Sequence, residues 1–344
     1  RKKGDAVVKI QSVITCCLAF VLGLQLVAQG TASAATGTTT SYADIKGHWA
    51  SKDIMELANE GIVKGFPDGT FHPDVPITEE QFMALIYRML PSITGEEVDE
   101  FAEETYLKKT KGRWSEAMYR KMFIAGVIGY DEPAGTINRS EAARILLGAL
   151  AVQSEGDKYR GSKAKFFKDV PLEEINLVTI YPIYKLGVMT GYPDGTFRPD
   201  DNVTRAQAVV VLKRFREKMA ELYPDNVNQE TKALIVQTAK ETVPLLQNAV
   251  GITDMEQMKK YVKEKKLPVS DAFLEEHFWY LNADGVDYIR HPDFDELLYI
   301  SRIWDNKYRV TVQYYAGELG GSIDRTFYLT SPDGKAFTLI GKNE

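Results

Sequence analysis

The sequence predicts a multidomain chain: an all-α unit of three helical repeats, then a small α+β C-terminal domain of helices on an antiparallel sheet. Three observations predict it. Nearly the same octapeptide occurs twice, Phe66-Pro67-Asp68-Gly69-Thr70-Phe71-His72-Pro73 and Tyr192-Pro193-Asp194-Gly195-Thr196-Phe197-Arg198-Pro199, and each copy leads into a helix-start signal. Gly61, Gly126 and Gly187 then align as the C-terminal glycines of three helices. Beyond Pro224 a new helical stretch begins, and near Leu297 the apolar period changes from helical to alternating.

Before the repeats, residues 1–34 carry the pattern of a secretory signal: basic Arg1, Lys2, Lys3 and Lys9, an apolar run from Val13 to Ala28, and a small-residue cleavage site at Ala32-Ser33-Ala34. A retained anchor is the competing expectation, disfavoured by the short run and by Gln25. Both cysteines, Cys16 and Cys17, fall inside that run, so a cleaved chain is expected to have neither thiol nor disulfide. Cleavage removes four basic residues and one acidic residue from a net charge of −6, leaving −9. An acidic surface excludes nonspecific binding to nucleic acid or anionic membrane, and an anionic partner then needs a locally basic site.

Each repeat is expected to be helix, turn, helix, over residues 42–91, 101–152 and 166–220. In the first, a helix from about Trp49 to Asn59 turns Ile54, Leu57 and Ala58 to one side, and Gly61 closes it. The Pro67-Asp68-Gly69 segment is a tight reversal, because proline presets one backbone angle and glycine relieves another. The second helices open with capping boxes at Thr78-Glu79-Glu80-Gln81, Asn138-Arg139-Ser140-Glu141 and Thr204-Arg205-Ala206-Gln207. Each such unit has one apolar face that only a neighbouring unit can cover. The second copy is degenerate: its turn has become Asp131-Glu132-Pro133-Ala134-Gly135, although Trp114 stands as far before Gly126 as Trp49 stands before Gly61. In the third copy the tryptophan position falls at Ile175.

Tyr42-Ala43-Asp44-Ile45 with His48-Trp49-Ala50, Gly61-Ile62-Val63-Lys64-Gly65 leading into the Pro-Asp-Gly turn, and Thr204-Arg205-Ala206-Gln207 resemble the S-layer homology (SLH) domain family. The resemblance covers residues 42 to about 219. It implies a three-pronged SLH spindle that binds secondary cell-wall polysaccharide, or a peptidoglycan-linked glycan, noncovalently and often through pyruvylated sugars. It also implies ligands in grooves between neighbouring units.

Candidate polysaccharide-binding residues are Asp44, Trp49, Lys64, Trp114, Arg139, Asp169 and Arg205. Arg139 and Arg205 stand at the first helical position, where free N–H groups and the helix dipole favour an anion and a guanidinium adds a planar fork for a carboxylate. The competing expectation is a solvated surface arginine. Asp44 and Asp169 either cap the lead-in to the first helix or accept sugar hydroxyls. Trp49 and Trp114 either pack in the core or offer a ring face to sugar C–H groups. The first unit has Glu79 and Glu80 where the family has arginine and a small residue, which puts its anion site in doubt, with Lys64 as the substitute.

Residues 221–228 are expected to be a polar linker and residues 229–344 an α+β domain of unassigned role. Helices are expected at about Gln229 to Ala249, kinked at Pro244, at Asp254 to Lys265 and at Ser270 to Tyr280. Strands are expected at Leu297 to Trp304, Tyr308 to Tyr315, Arg325 to Thr330 and Ala336 to Ile340, with a hairpin turn at Ser331-Pro332-Asp333-Gly334. No motif for a catalytic triad, phosphate loop or zinc protease is present, so no enzyme activity, cofactor or metal is expected. His277, His291, Asp293 and Asp295 fit no recognised ligand spacing. The alternative is a wall-attached carbohydrate-active hydrolase using Glu275, Asp287 or Asp293. The expected location is the bacterial cell wall, associated with the surface layer, with no membrane span once the signal is removed.

Overall fold

The computed structural model describes residues 41–93, 98, 100–129, 132–247, 249, 252, 254–281, 297–304, 306–315 and 322–344. The expected signal segment and its two cysteines lie outside these residues, as do Asp131, Asp287, His291, Asp293 and Asp295. None of the described helices is long and apolar enough to cross a membrane.

Six helices build the repeats in pairs: α1 (Ser51–Asn59) and α2 (Glu79–Tyr87), α3 (Glu116–Ile124) and α4 (Arg139–Ala149), α5 (Glu174–Lys185) and α6 (Arg205–Leu222). The first member of each pair stops because Gly61, Gly126 and Gly187 take positive φ of 75°, 70° and 77°, a conformation that frees their N–H groups to cap the preceding turn. Each second member starts from a complete capping box, Thr78 with Gln81, Asn138 with Glu141 and Thr204 with Gln207.

The three units close on one another in a ring. The residues just before the caps are buried and hydrogen-bond in a cycle: Ile77 N–H to the Val203 carbonyl at 2.9 Å, Val203 N–H to Ile137 at 2.9 Å, and Ile137 N–H to Ile77 at 3.2 Å. The same order governs the helix N-termini. Glu79 and Glu80 of the first repeat donate to Gly135 and Pro133 of the second; Arg139 and Ser140 donate to Asp201 and Pro199 of the third; Arg205 and Ala206 donate to Val75 and Pro73 of the first. The first two N–H groups of each helix, orphans in isolation, are thus satisfied by a neighbouring repeat. Side chains from all three units, including Ile54, Phe71, Phe82, Leu146, Ile180, Phe197 and Phe215, share one core.

After α6 come α7 (Gln229–Gln247), α8 (Met255–Lys265) and α9 (Asp271–Leu281), then strands β1 (Leu297–Trp304), β2 (Lys307–Tyr315), β3 (Ser322–Thr330) and β4 (Thr338–Ile340). The expected break at Pro268 holds, and α7 runs through Pro244 as one helix, as expected. The four strands form an antiparallel sheet in sequence order. Period-two alternation gives the sheet two faces. Ile300, Val310, Val312, Phe327 and Leu329 pack with Ile235, Met258, Val262 and Phe273 of the helices.

The other face carries Tyr299, Thr311 and Gln313, all buried, and it meets the repeats. Tyr299 belongs to the repeat core, and the Gln313 amide donates to the Gly126 carbonyl at 3.4 Å. Segment 221–228 lies along β1: Asn226 exchanges two hydrogen bonds of 2.7 Å with the Arg302 backbone, and Tyr223 stacks on Tyr299 with centroids 4.0 Å apart. Residues 42–344 form one compact unit.

Candidate functional site

The cyclic closure decides which residues share a junction. Arg205 of the third repeat reaches the turn of the first: Nε donates to the Phe71 carbonyl at 2.8 Å and Nη2 to the Lys64 carbonyl at 3.1 Å. Its guanidinium lies 4.5 Å from the Phe71 ring centroid and 4.9 Å from that of Phe66. Arg139 of the second repeat repeats the arrangement on the third, donating at 2.7 Å to both Phe197 and Thr190 carbonyls beneath the rings of Phe197 and Tyr192. We denote these junctions 3/1 and 2/3.

Asp44 and Asp169 complete the two turns from below. Asp44 accepts from the N–H groups of Phe71 and His72 at 2.9 and 2.7 Å, and Asp169 from Phe197 and Arg198 at 2.8 and 2.7 Å. These bonds hold His72 and Arg198 in the left-handed region at φ 54° and 58°, uncommon for non-glycine residues and spatially matched between the repeats. Desolvation pushes the Asp44 carboxyl up, but the two backbone donors outweigh it and keep it below its ordinary value. Lys64 is exposed. The Lys168 ammonium bonds the Asp194 carbonyl at 2.7 Å, tying the third turn.

The structure corrects the physical basis expected for these arginines. The helix N–H groups are not free for an anion, because neighbouring carbonyls and the caps occupy them. Nor is Arg139 a solvated surface residue: it is 6% exposed. Burial depresses the pKa of both guanidinium groups by desolvation. Among the described residues, neither has a carboxylate within 4.0 Å. Each is a charge held by carbonyl dipoles and ring faces, with Asp201 and Asp169 acting on Arg139 and Asp44 on Arg205 from beyond ion-pair distance.

The third junction, 1/2, is built differently. Here the first repeat presents Glu79 and Glu80 to the second. Glu80 accepts from Arg113 Nε at 3.0 Å, Arg113 Nη2 at 2.8 Å and Ser115 Oγ at 2.8 Å. The Arg113 contact, the largest influence, holds the Glu80 carboxyl below its usual value. Glu79 accepts from the Tyr119 hydroxyl at 2.8 Å; burial, with Glu79 alongside, pushes that phenol far up and keeps it a donor.

The two departures seen in the sequence therefore meet. The first repeat lacks the arginine and the second lacks the turn, but both belong to junction 1/2, so junctions 3/1 and 2/3 are each complete. Trp49 and Trp114 are 64% exposed, which removes the core-packing alternative, and Ile175 at the corresponding place is also exposed. Arg113, Tyr192 and Phe66 were not singled out from the sequence. Arg113 stands next to Trp114, and the charge reversal at Glu79-Glu80 was the available signal for it.

In the C-terminal part, Glu275 is exposed and pairs with Lys259 at 3.0 Å, and His277 lies 4.0 Å from Glu276. A cleft of about 1140 Å³ runs between the repeats and the C-terminal part, lined by Met89, Met219, Tyr223, Val236 and Leu298 among others. Its acidic residues are engaged, Asp225 with Lys232 and Glu241 with Gln237.

A repeat protein with turn-to-helix junctions of this kind is matched by a known family. The S-layer homology domain model matches residues 41–83 and 179–209. The chain therefore carries S-layer homology domains, in agreement with the resemblance read from its motifs. A cellulosome-anchoring protein of Acetivibrio thermocellus is 28% identical over 189 residues, 52% of this chain and 41% of that protein. An S-layer protein of Bacillus licheniformis is 29% identical over 207 residues, 57% of this chain and 22% of that protein. An amylopullulanase of Thermoanaerobacterium thermosulfurigenes is 28% identical over 187 residues, 52% of this chain and 10% of that protein. The match thus spans between a tenth and about two fifths of these relatives' length.

Proposed function

We propose that this chain is a non-catalytic anchor of the bacterial cell surface, bound noncovalently to an anionic secondary cell-wall polysaccharide through junctions 3/1 and 2/3. Pyruvate-ketal sugars are the ligand class. The observation that carries the proposal is the pair of guanidinium groups, Arg139 and Arg205, desolvated and without a carboxylate partner among the described residues. A desolvated cation is stabilised by an anion that completes its shell, and a ketal carboxylate matches the remaining edge of a guanidinium fork. Asp44 and Asp169 set the turns that carry the sites, Lys64 adds an exposed ammonium at 3/1, and Trp49 adds a ring face there. The closed ring of Ile77, Ile137 and Val203 supports a three-repeat spindle over 42–91, 101–152 and 166–220. Relatives named for cell-surface layers and anchoring support the location. The α+β part, 229–344, is the displayed module, oriented by its contacts with the second repeat.

The test is sedimentation of the intact chain with purified sacculi. Wild type co-sediments, loses binding when anionic polysaccharide is extracted, and is weakened by Arg205→Ala far more than by Lys52→Ala at an exposed position. Equal sedimentation before and after extraction overturns the proposal.

A further inference from the structure

We propose that His72 is a proton-dependent counterpart of Arg198, so that junction 3/1 holds an anion more tightly in mild acid while junction 2/3 does not change. The ligand rests on the anionic-glycan reading above; the correspondence between the two residues does not.

The backbone builds the correspondence. His72 and Arg198 hold the same place in the repeated octapeptide, both at positive φ, with their N–H groups bonded to Asp44 and Asp169. Each side chain also lies against the aromatic ring that opens its octapeptide, His72 at 4.8 Å from the Phe66 centroid and Arg198 at 3.9 Å from that of Tyr192. In the third repeat Thr196 Oγ1 donates to Asp194 at 2.5 Å, which leaves its oxygen to accept from Arg198 Nε at 3.3 Å, while Arg198 Nη2 donates to Asp194 at 2.9 Å. In the first repeat Thr70 Oγ1 donates to Asp68 at 2.5 Å, so the imidazole supplies the proton in the 3.0 Å contact of His72 Nε2 with Thr70. Nδ1 is then the nitrogen that takes a second proton. It faces Asp44 at 3.9 Å, and Nε2 lies 3.8 Å from Asp68.

The two residues differ in the permanence of their charge. Arg198 stays ionised, so Asp194 always has its cation. A neutral His72 leaves Asp68 without one, on the same turn whose Phe71 carbonyl Arg205 grips. An anion approaching Arg205 then meets the field of that carboxylate, which a protonated imidazole cancels. Histidine gains its charge as the pH falls between about 8 and 5, whereas a ligand carboxylate stays ionised throughout. Among the described residues, the charged groups around the ring are Asp44 from the lead-in segment, Asp68 from the turn itself and Arg205 from α6, whose guanidinium shares the Phe66 ring. His48, bonded to Asp74 at 3.2 Å, is the other histidine of this repeat. Since the His72 and Asp68 side chains are partly open to water, the expected gain in affinity at junction 3/1 is about three- to fivefold and falls with added salt.

The test measures binding of the intact chain to purified sacculi at about pH 8 and about pH 5.5, at one ionic strength. Wild type is expected to bind more tightly at the lower pH. His72→Gln, neutral at both, is expected to keep the weaker affinity throughout, and His72→Arg, which copies the third repeat, the stronger one. Adding Arg198→His to His72→Arg moves the titrating ring to junction 2/3 and is expected to restore the pH dependence. His48→Gln is expected to leave it in place. Equal wild-type affinity at the two pH values, a wild-type pH dependence that survives in His72→Gln, or one that disappears with His48→Gln overturns the inference. A pH dependence that vanishes in His72→Gln but persists after anionic polysaccharide is extracted overturns the anchoring proposal and leaves this one standing. No sedimentation at either pH overturns both.

Discussion

Tyr299, on the first strand of the C-terminal sheet, donates its hydroxyl to the carbonyl of Ala149 at the end of the second repeat's second helix. Both residues are buried, and Tyr223 lies flat against the tyrosine ring while its own hydroxyl reaches the Leu150 carbonyl at 2.8 Å. The late carbonyls of a helix lack partners within it, so a neighbouring body that supplies hydroxyl donors there is held in place. Tyr299→Phe leaves a buried acceptor unsatisfied and is expected to cost about 1–3 kcal/mol. Tyr299→Ala removes the stack as well and is expected to cost about 3–5 kcal/mol. Calorimetry of the alanine variant is expected to resolve the C-terminal part as a separate, earlier transition; a single unshifted transition would contradict the interface.

Arg139 joins fold and proposed ligand site in one side chain. Arg139→Met keeps length and packing on Phe197 but strips two hydrogen bonds from the Phe197 and Thr190 carbonyls. Removing a desolvated, unpaired charge offsets part of that loss, so the expected destabilisation is modest, about 1–2 kcal/mol by chemical unfolding. Binding to anionic polysaccharide is expected to fall further, about 30-fold or more at this junction, because a charge-assisted bond contributes about 2 kcal/mol or more. A variant that loses stability without losing affinity would assign Arg139 to the fold alone.

Much of this was legible in the sequence because it is local. Gly61, Gly126 and Gly187 needed the left-handed region, and Thr78, Asn138 and Thr204 needed the third helical N–H, so turns and caps could be placed from spacing alone. The junctions could not. Arg205 meets the Lys64 carbonyl 141 positions away, and only ring closure pairs the arginine of one repeat with the turn of another. Read along the chain, repeats one and two each looked impaired and only the third whole. Closure moves both impairments into one junction. The docked sheet face was hidden for a related reason: Thr311 and Gln313 are polar, and alternation assigns such residues to solvent unless another body covers them.

Restoring the family pattern at junction 1/2 offers a direct check on its chemistry. In the double variant Glu79→Arg, Glu80→Ala, Arg113 loses its carboxylate and Tyr119 its acceptor, while a new cation enters beside Arg113. Like charges in a half-buried site are destabilising, and a broken ion pair leaves its partner unsatisfied. The expected outcome is a loss of about 3 kcal/mol or more in urea unfolding, partly recovered by adding Arg113→Met. Unchanged stability in the double variant would mean that the carboxylates are not what joins these repeats.

The third repeat's turn supplies a pH signature. The Asp194 carboxyl is lowered from 3.8 to about 2, first by the Thr196 hydroxyl, then by Arg198 and the Thr196 N–H. A folded-state pKa below the unfolded value means that the unfolded chain binds the proton more readily. The stabilisation is therefore fully present above about pH 4 and is lost as the pH falls toward 2. Carboxyl NMR of the folded chain is expected to show Asp194 titrating near pH 2. In Asp194→Asn the tie to Arg198 is neutralised, and the acid limb of the stability profile is expected to flatten between pH 4 and 2. Because the group lies at the surface, molar salt is expected to narrow the difference; an Asp194 resonance titrating at its ordinary pKa would show the turn to be open in solution.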